Sequence, residues 1–251
     1  MRVYLLCFVA LCWLPLNAAA DNTDSELSET ARLLAILLDS GRVAIGRNQA
    51  LINDPSSAQT TFTQELFVTQ TTAIFKERTG HNLDDLPNAS APTLAKRLLE
   101  RLLMEGKKTV ESYQPVLNMK GLKYKGLIPA TFGTETATRF QKWSGVYLKQ
   151  TAPEHLLRNP NNKPDSFEVE HMKELSAASF QQNKATVISK IDGGNSVRVL
   201  LPLFYEKACL GCHGEPIGER DISGYSKEGS REGELGGVIS VKIDRSQLAV
   251  R

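Results

Sequence analysis

Cysteine is scarce: the 251 residues hold four, and two of these, Cys7 and Cys12, fall within the first twenty positions. So few thiols exclude a disulfide-built scaffold. A dominant charge is also missing, since 30 basic residues face 28 acidic ones and no basic run occurs. That pattern argues against nucleic acid or an anionic membrane as the main partner. Beyond residue 20 no apolar stretch is long enough to cross a bilayer, so the mature chain is expected to be free of stable membrane insertion. We find no internal repeat and no linker that divides the chain. What remains is an ordinary globular composition, 41% hydrophobic and 23% charged, enough for one good core or two small ones.

The first twenty residues read as a removable segment. Arg2 supplies a positive start, Val3 to Leu16 is almost wholly apolar, and Ala18-Ala19-Ala20 offers small residues before Asp21. This is the pattern of a secretory signal peptide cleaved after Ala20. An uncleaved anchor fits worse, because the apolar run is too short to span comfortably. Cys12 follows Leu11 rather than a small residue, which weakens a lipoprotein signal. Without Arg2 the charge falls to 29 basic against 28 acidic residues. The expected mature unit is 21–251, one domain, exported to the periplasm or beyond.

Along that unit the pattern is helical first. Thr23-x-x-Glu26 resembles a capping box opening a long helix that stops at Asn53-Asp54-Pro55. Further helices are expected from about Thr61 to Thr79, ended by Gly80, and from Pro92 towards Tyr113. The texture then changes. Gly121 to Pro129 alternates like a short strand, Thr134 to Trp143 reads as a helix, and Val146 to Gln150 as a strand. Arg158 to Pro164 has loop composition, and Phe167 to Ala178 is helical. Two β-rich runs, Ala185 to Ile191 and Ser196 to Leu203, flank Asp192-Gly-Gly-Asn, a hairpin signal. A polar, Gly-rich stretch follows, and Gly237 to Ile243 forms a last strand.

One motif carries chemistry: Cys209-Leu210-Gly211-Cys212-His213. Two residues apart, the thiols could form a redox dithiol, half a zinc site or a haem attachment. A zinc site needs two more ligands and no cysteine remains to supply them. A thioredoxin-like pair should open a helix after a strand, whereas Gly214-Glu215-Pro216 follows here at once. Two thiols at this spacing can reach the two vinyl groups of one haem, and the adjacent histidine then falls under the ring as a ligand to iron. Chance would produce this order of residues in such a composition about 0.001 times. The reading assigns Cys209, Cys212 and His213 to one covalent haem c, with His213 on the metal.

The chain also resembles a family of exported single-haem c-type proteins with a PAS-like fold, often described as a domain of unknown function and often the sensor part of histidine kinases. The resemblance rests on Gly41-Arg-Val-Ala-Ile-Gly-Arg-Asn-Gln-Ala-Leu-Ile-Asn-Asp54, Lys125-Gly-Leu-Ile-Pro-Ala-Thr-Phe-Gly133, Leu148-Lys-Gln-Thr-Ala-Pro153 and Arg158-Asn-Pro-Asn-Asn-Lys-Pro164. Cys209 to Pro216 and Gly233 to Val241 complete the series in order. It implies an α+β class: an antiparallel sheet flanked by helices, with a long N-terminal helix and the haem loop between late strands. It also implies sensing of redox state or of a diatomic gas. No kinase or coiled coil follows Arg251, so a sensor of this form is expected to report to a separate partner protein. Some relatives place a cysteine ligand on the first long helix; this helix has none.

The other side of the iron has several candidates. His81, His155 and His171 are the remaining histidines; Met104, Met119 and Met172 are the thioethers. An open or labile sixth position is the leading expectation. Arg42, Arg47, Asn48, Lys125 and Arg158 could meet haem propionates or a bound gas, or simply hold the fold. Phe132, Phe140 and Phe204 are expected in the core. Three functions stay open: a sensor or binding module, a one-electron carrier, and an enzyme acting on peroxide or a nitrogen oxide. The last needs a distal acid–base residue that the sequence does not clearly supply.

Overall fold

A computed structural model describes residues 16–176, 188–192 and 195–248. Its first helix, α1 (Leu16–Arg47), is the axis of the fold. Every residue from Leu33 to Leu38 is buried. A helix that is apolar all round must be covered all round, and two layers do so. On one side lie α3 (Gln64–Thr79), α4 (Thr93–Leu117) and α5 (Pro129–Ser144). On the other lies an antiparallel sheet of β1 (Tyr147–Thr151), β2 (Ile188–Asp192), β3 (Ser196–Phe204) and β4 (Leu235–Asp244), ordered β1-β4-β3-β2. The class is therefore α+β, with helices flanking the sheet and a long N-terminal helix. Among the described residues no helix is long and apolar enough to cross a membrane.

The sheet sorts its side chains with a period of two. Val197, Val199 and Leu201 of β3 pair in register with Ile243, Val241 and Ile239 of β4 and join the core around α1. Leu200 and Val238 face the other way. There they pack with Met172 and Leu175 of α6 (Ser166–Leu175). Polar residues on this second face are paired. The fully buried Glu168 accepts from Tyr147 Oη at 2.9 Å and Arg198 Nη2 at 2.9 Å, and ion-pairs with Lys149 Nζ at 2.8 Å. A buried carboxylate is tolerated only with such partners. Asp165 caps α6, and its hydrogen bonds with Glu168 form the reciprocal capping box.

Local signals account for most boundaries. Thr63 caps α3, and Gly80 and Gly145 close α3 and α5 in left-handed conformation. Two expectations fail. The first helix does not open at Thr23: it runs unbroken from Leu16, because Ala18 to Ala20 are the best helix formers. It also breaks before Asn53, at Asn48, and resumes as α2 (Gln49–Ile52). The stretch from Gly121 to Pro129 is not a strand. Its polar groups are taken by the distant 53–55 segment: Gly121 N donates to Pro55 O at 2.7 Å and Lys125 N to Asn53 Oδ1 at 3.0 Å. The helix expected from Thr134 starts earlier, with Pro129 in its first turn. The hairpin is present as β2 and β3, while positions 177–178, 185–187 and 193–194 of the expected elements lie outside the described residues.

Candidate haem-attachment site

The Cys209–His213 motif occupies one tight turn. A 3-10 turn at Lys207–Cys209, packed against α1, passes directly into α7 (Leu210–His213). On a helical turn, positions three apart share a face, so Cys209 and Cys212 point to the same side. Both are unpaired thiols, each half-buried. Burial, then the nearby Asp221, pushes the Cys212 thiol above its ordinary pKa.

His213 is held from several directions. Its Nδ1 lies 3.1 Å from Glu228 Oε2. The Tyr205 ring packs on the imidazole with centroids 5.0 Å apart, its hydroxyl 3.5 Å from Nδ1 and too long for a good hydrogen bond. The backbone is pinned as well, since Ser230 N donates to His213 O at 2.8 Å. Burial, followed by the Arg158 cation, pushes the imidazole pKa below its ordinary value. That shift favours the neutral ring, the form that binds a metal. With Nδ1 turned to the carboxylate, Nε2 carries the free lone pair.

Arg158 organises the loop around this turn. Its Nε and Nη2 donate to the two oxygens of Glu228, each at 2.9 Å. Nη1 reaches Asp221 Oδ2 at 2.7 Å, and Nη2 also reaches Cys212 O at 2.9 Å. Burial opposes ionisation of Asp221, yet hydrogen bonds from Ser223 and Arg158 hold its carboxyl below the usual range. This guanidinium therefore binds the protein's own loop. Glu228, Asp221 and Tyr205 were not singled out by sequence; they sit in polar or strand-end contexts with no motif of their own.

Beside Tyr205 and Glu228 opens a cleft of about 510 Å³, lined also by His155, Leu156 and Ser230. That volume falls in the range of roughly 300–1,000 Å³ usual for small-molecule and cofactor sites. Among the other histidines, His155 stands on this cleft and is exposed. His171 is buried, stacks on Phe167 at 4.0 Å and directs Nδ1 to Phe167 O at 2.9 Å. His81 follows the end of α3, with its amide on Thr79 Oγ1. Met172 is core, while Met104 and Met119 are exposed.

Other candidates serve the fold. Lys125 is 2% exposed and its ammonium donates to Asp54 O at 2.9 Å and Leu117 O at 2.6 Å. Arg42 pairs with Asp39 at 2.6 Å. Asn48 is buried and donates to Ala44 O and Gln70 Oε1. Arg47 lies exposed. Phe132 and Phe140 are core residues; Phe204 packs at the edge of the second cluster.

No curated protein matches the chain. Among solved structures, the crystal structure of the cyanobacterial heme-protein Tll0287 is similar at 22% identity, over 45% of this chain and 69% of that one, with a TM-score of 0.37. The model of the Tll0287-like family matches residues 20–244, and the chain belongs to that family.

Proposed function

We propose that this is an exported, single-haem c-type protein that senses redox state or a diatomic gas. Cys209 and Cys212 form the thioethers and His213 binds the iron. The observation that carries the reading is the 209–213 turn, where two free thiols share a face and the next residue is an imidazole oriented through Nδ1. The donor set fits: thiols for the two vinyl groups, and a histidine nitrogen for iron. The family takes its name from Tll0287, described as a cyanobacterial heme-protein, which agrees with this assignment. Bound haem supplies a one-electron couple and an iron position for a small ligand. The protein's residues hold it covalently, fix the imidazole and border it with a cleft. In this reading Met1 to Ala20 directs export, and a separate protein receives the signal.

One observation favours a second reading, a periplasmic one-electron carrier. Ile217, Ile222 and Tyr225 are 70%, 49% and 47% exposed on the segment that follows the motif. An apolar surface there would suit the approach of a redox partner.

The mature chain should be produced with c-type maturation machinery and extracted with acidified acetone. Pigment retained in the wild type and lost in Cys209→Ala/Cys212→Ala supports attachment; a colourless wild type defeats it. A ferrous spectrum that shifts with carbon monoxide supports an open iron and sensing. An unchanged spectrum supports the carrier.

A further inference from the structure

We infer that Glu228 is the positioning residue of the iron ligand: it accepts the Nδ1 proton of His213 and makes the imidazole a stronger, anion-like donor that favours ferric over ferrous iron. The inference rests on the haem reading above and goes beyond it, because the motif alone says nothing about what lies behind the histidine.

The argument is geometric. Glu228 lies 15 residues beyond His213, yet its Oε2 is 3.1 Å and its Oε1 3.4 Å from the ring nitrogen. The segment that carries it is tied to the turn by backbone bonds, Gly229 N to Gly214 O at 3.2 Å and Ser230 N to His213 O at 2.8 Å. A carboxylate has about four acceptor positions. Arg158 takes two of them in a bidentate pair and leaves room for the imidazole. The same guanidinium holds the carbonyl of Cys212, the residue before the ligand. The ring is thus fixed from its backbone side and from its far nitrogen at once. The charges do not cancel, since Arg158 contributes one positive charge while Glu228 and Asp221 contribute two negative ones. The excess negative charge behind the imidazole stabilises the more positive iron state.

A metal-bound histidine whose other nitrogen meets a carboxylate is locked in tautomer and orientation and gains basicity. A backbone carbonyl in that place gives a weaker push. The identity of the acceptor is therefore a control on redox poise, independent of what occupies the iron's other side.

The experiment compares wild type, Glu228→Gln and Glu228→Asp, each loaded with haem. Covalent haem content is measured first, by acidified-acetone extraction. A wild type without attached haem defeats the haem reading, not this one alone. With haem attached, Glu228→Gln is expected to raise the midpoint potential, and Glu228→Asp to restore it most of the way. An unchanged potential in Glu228→Gln overturns the inference, as does an equal rise in Glu228→Asp. A second readout needs no substitution and covers a variant that fails to fold. In the reduced wild type, with carbon monoxide added if it binds, the ¹⁵N shift of His213 Nδ1 should lie on the imidazolate side of that of a neutral imidazole. A neutral-imidazole value sinks the proposal.

Discussion

Arg158 and the carbonyl of Cys212, 54 residues apart in sequence, meet at 2.9 Å. The contact ties the loop before α6 to the turn that presents the cysteines, and the same side chain ion-pairs with Asp221 and Glu228. Arg158→Ala removes the cation beside the buried Asp221 side chain, leaving it the hydrogen bonds from Ser223 and Tyr225. Breaking such a pair by removing one partner costs about 3 kcal/mol or more. Urea denaturation should show that loss, and covalent haem yield should fall with it. A loss below about 1 kcal/mol would show that solvent already screens these charges.

Gly236 is a second support of the same ring stack. A Cβ there would sit 2.8 Å from the Tyr205 ring, the ring that packs on His213. Gly236→Ala should destabilise by about 1–3 kcal/mol through overpacking. Adding Tyr205→Ala should remove most of that penalty, giving a non-additive double-mutant cycle. Strict additivity would place the clash elsewhere.

Asp165 makes folding acid-sensitive. Burial opposes its ionisation, but the Glu168 amide and Arg198, at 2.6 Å from Oδ2, hold its carboxyl below the usual range. With the folded pKa below the unfolded one, its contribution is complete above the unfolded value of about 3.9. It is lost as pH falls from there through the folded pKa. Asp165→Asn keeps a good helix cap yet removes the charge, so its stability should lose this step between pH 4 and lower values, roughly the carboxylate window. Asp165→Ala should cost about 1 kcal/mol at neutral pH as well. Identical acid profiles for wild type and Asp165→Asn would contradict the assignment.

Lys125 separates fold from cofactor. Its ammonium closes the carbonyls of Leu117, at the end of α4, and Asp54. Lys125→Met keeps the stem but leaves two buried acceptors unmet, a cost of about 2 kcal/mol. The melting temperature should drop while the visible spectrum and potential stay as in wild type. A changed spectrum at unchanged stability would return Lys125 to the cofactor.

What was legible in the sequence was local. Gly80 marks the end of α3 through the left-handed conformation that glycine prefers, and the turn composition at 192–195 separates β2 from β3; Pro129 and Gly145, which bound α5, went unread. The cysteine spacing is legible because it is the spacing that attachment to one porphyrin would require. Lys125 misled for a physical reason: alternation from Gly121 to Pro129 reflects one buried ammonium and Leu127 on an irregular segment whose bonds go to positions 53–55. Glu228 had no signature, because only the return of the 228–230 segment to residues 213–214 brings it to His213. The helix through Thr23 shows that, while residues 16–20 are attached, strong propensity upstream overrides a capping pattern.

The position of α1 has a kinetic consequence. Leu33 to Leu38 emerge early in synthesis, but one side of α1 is covered by β3 and β4, well over a hundred residues later. Closing such long loops is slow, because entropy is spent before contacts are gained. Until the last strands arrive, the most greasy helix of the chain stands bare on one side. Refolding should therefore be slow and prone to aggregation as protein concentration rises, and a holdase that grips this helix would shorten neither barrier but would protect the wait.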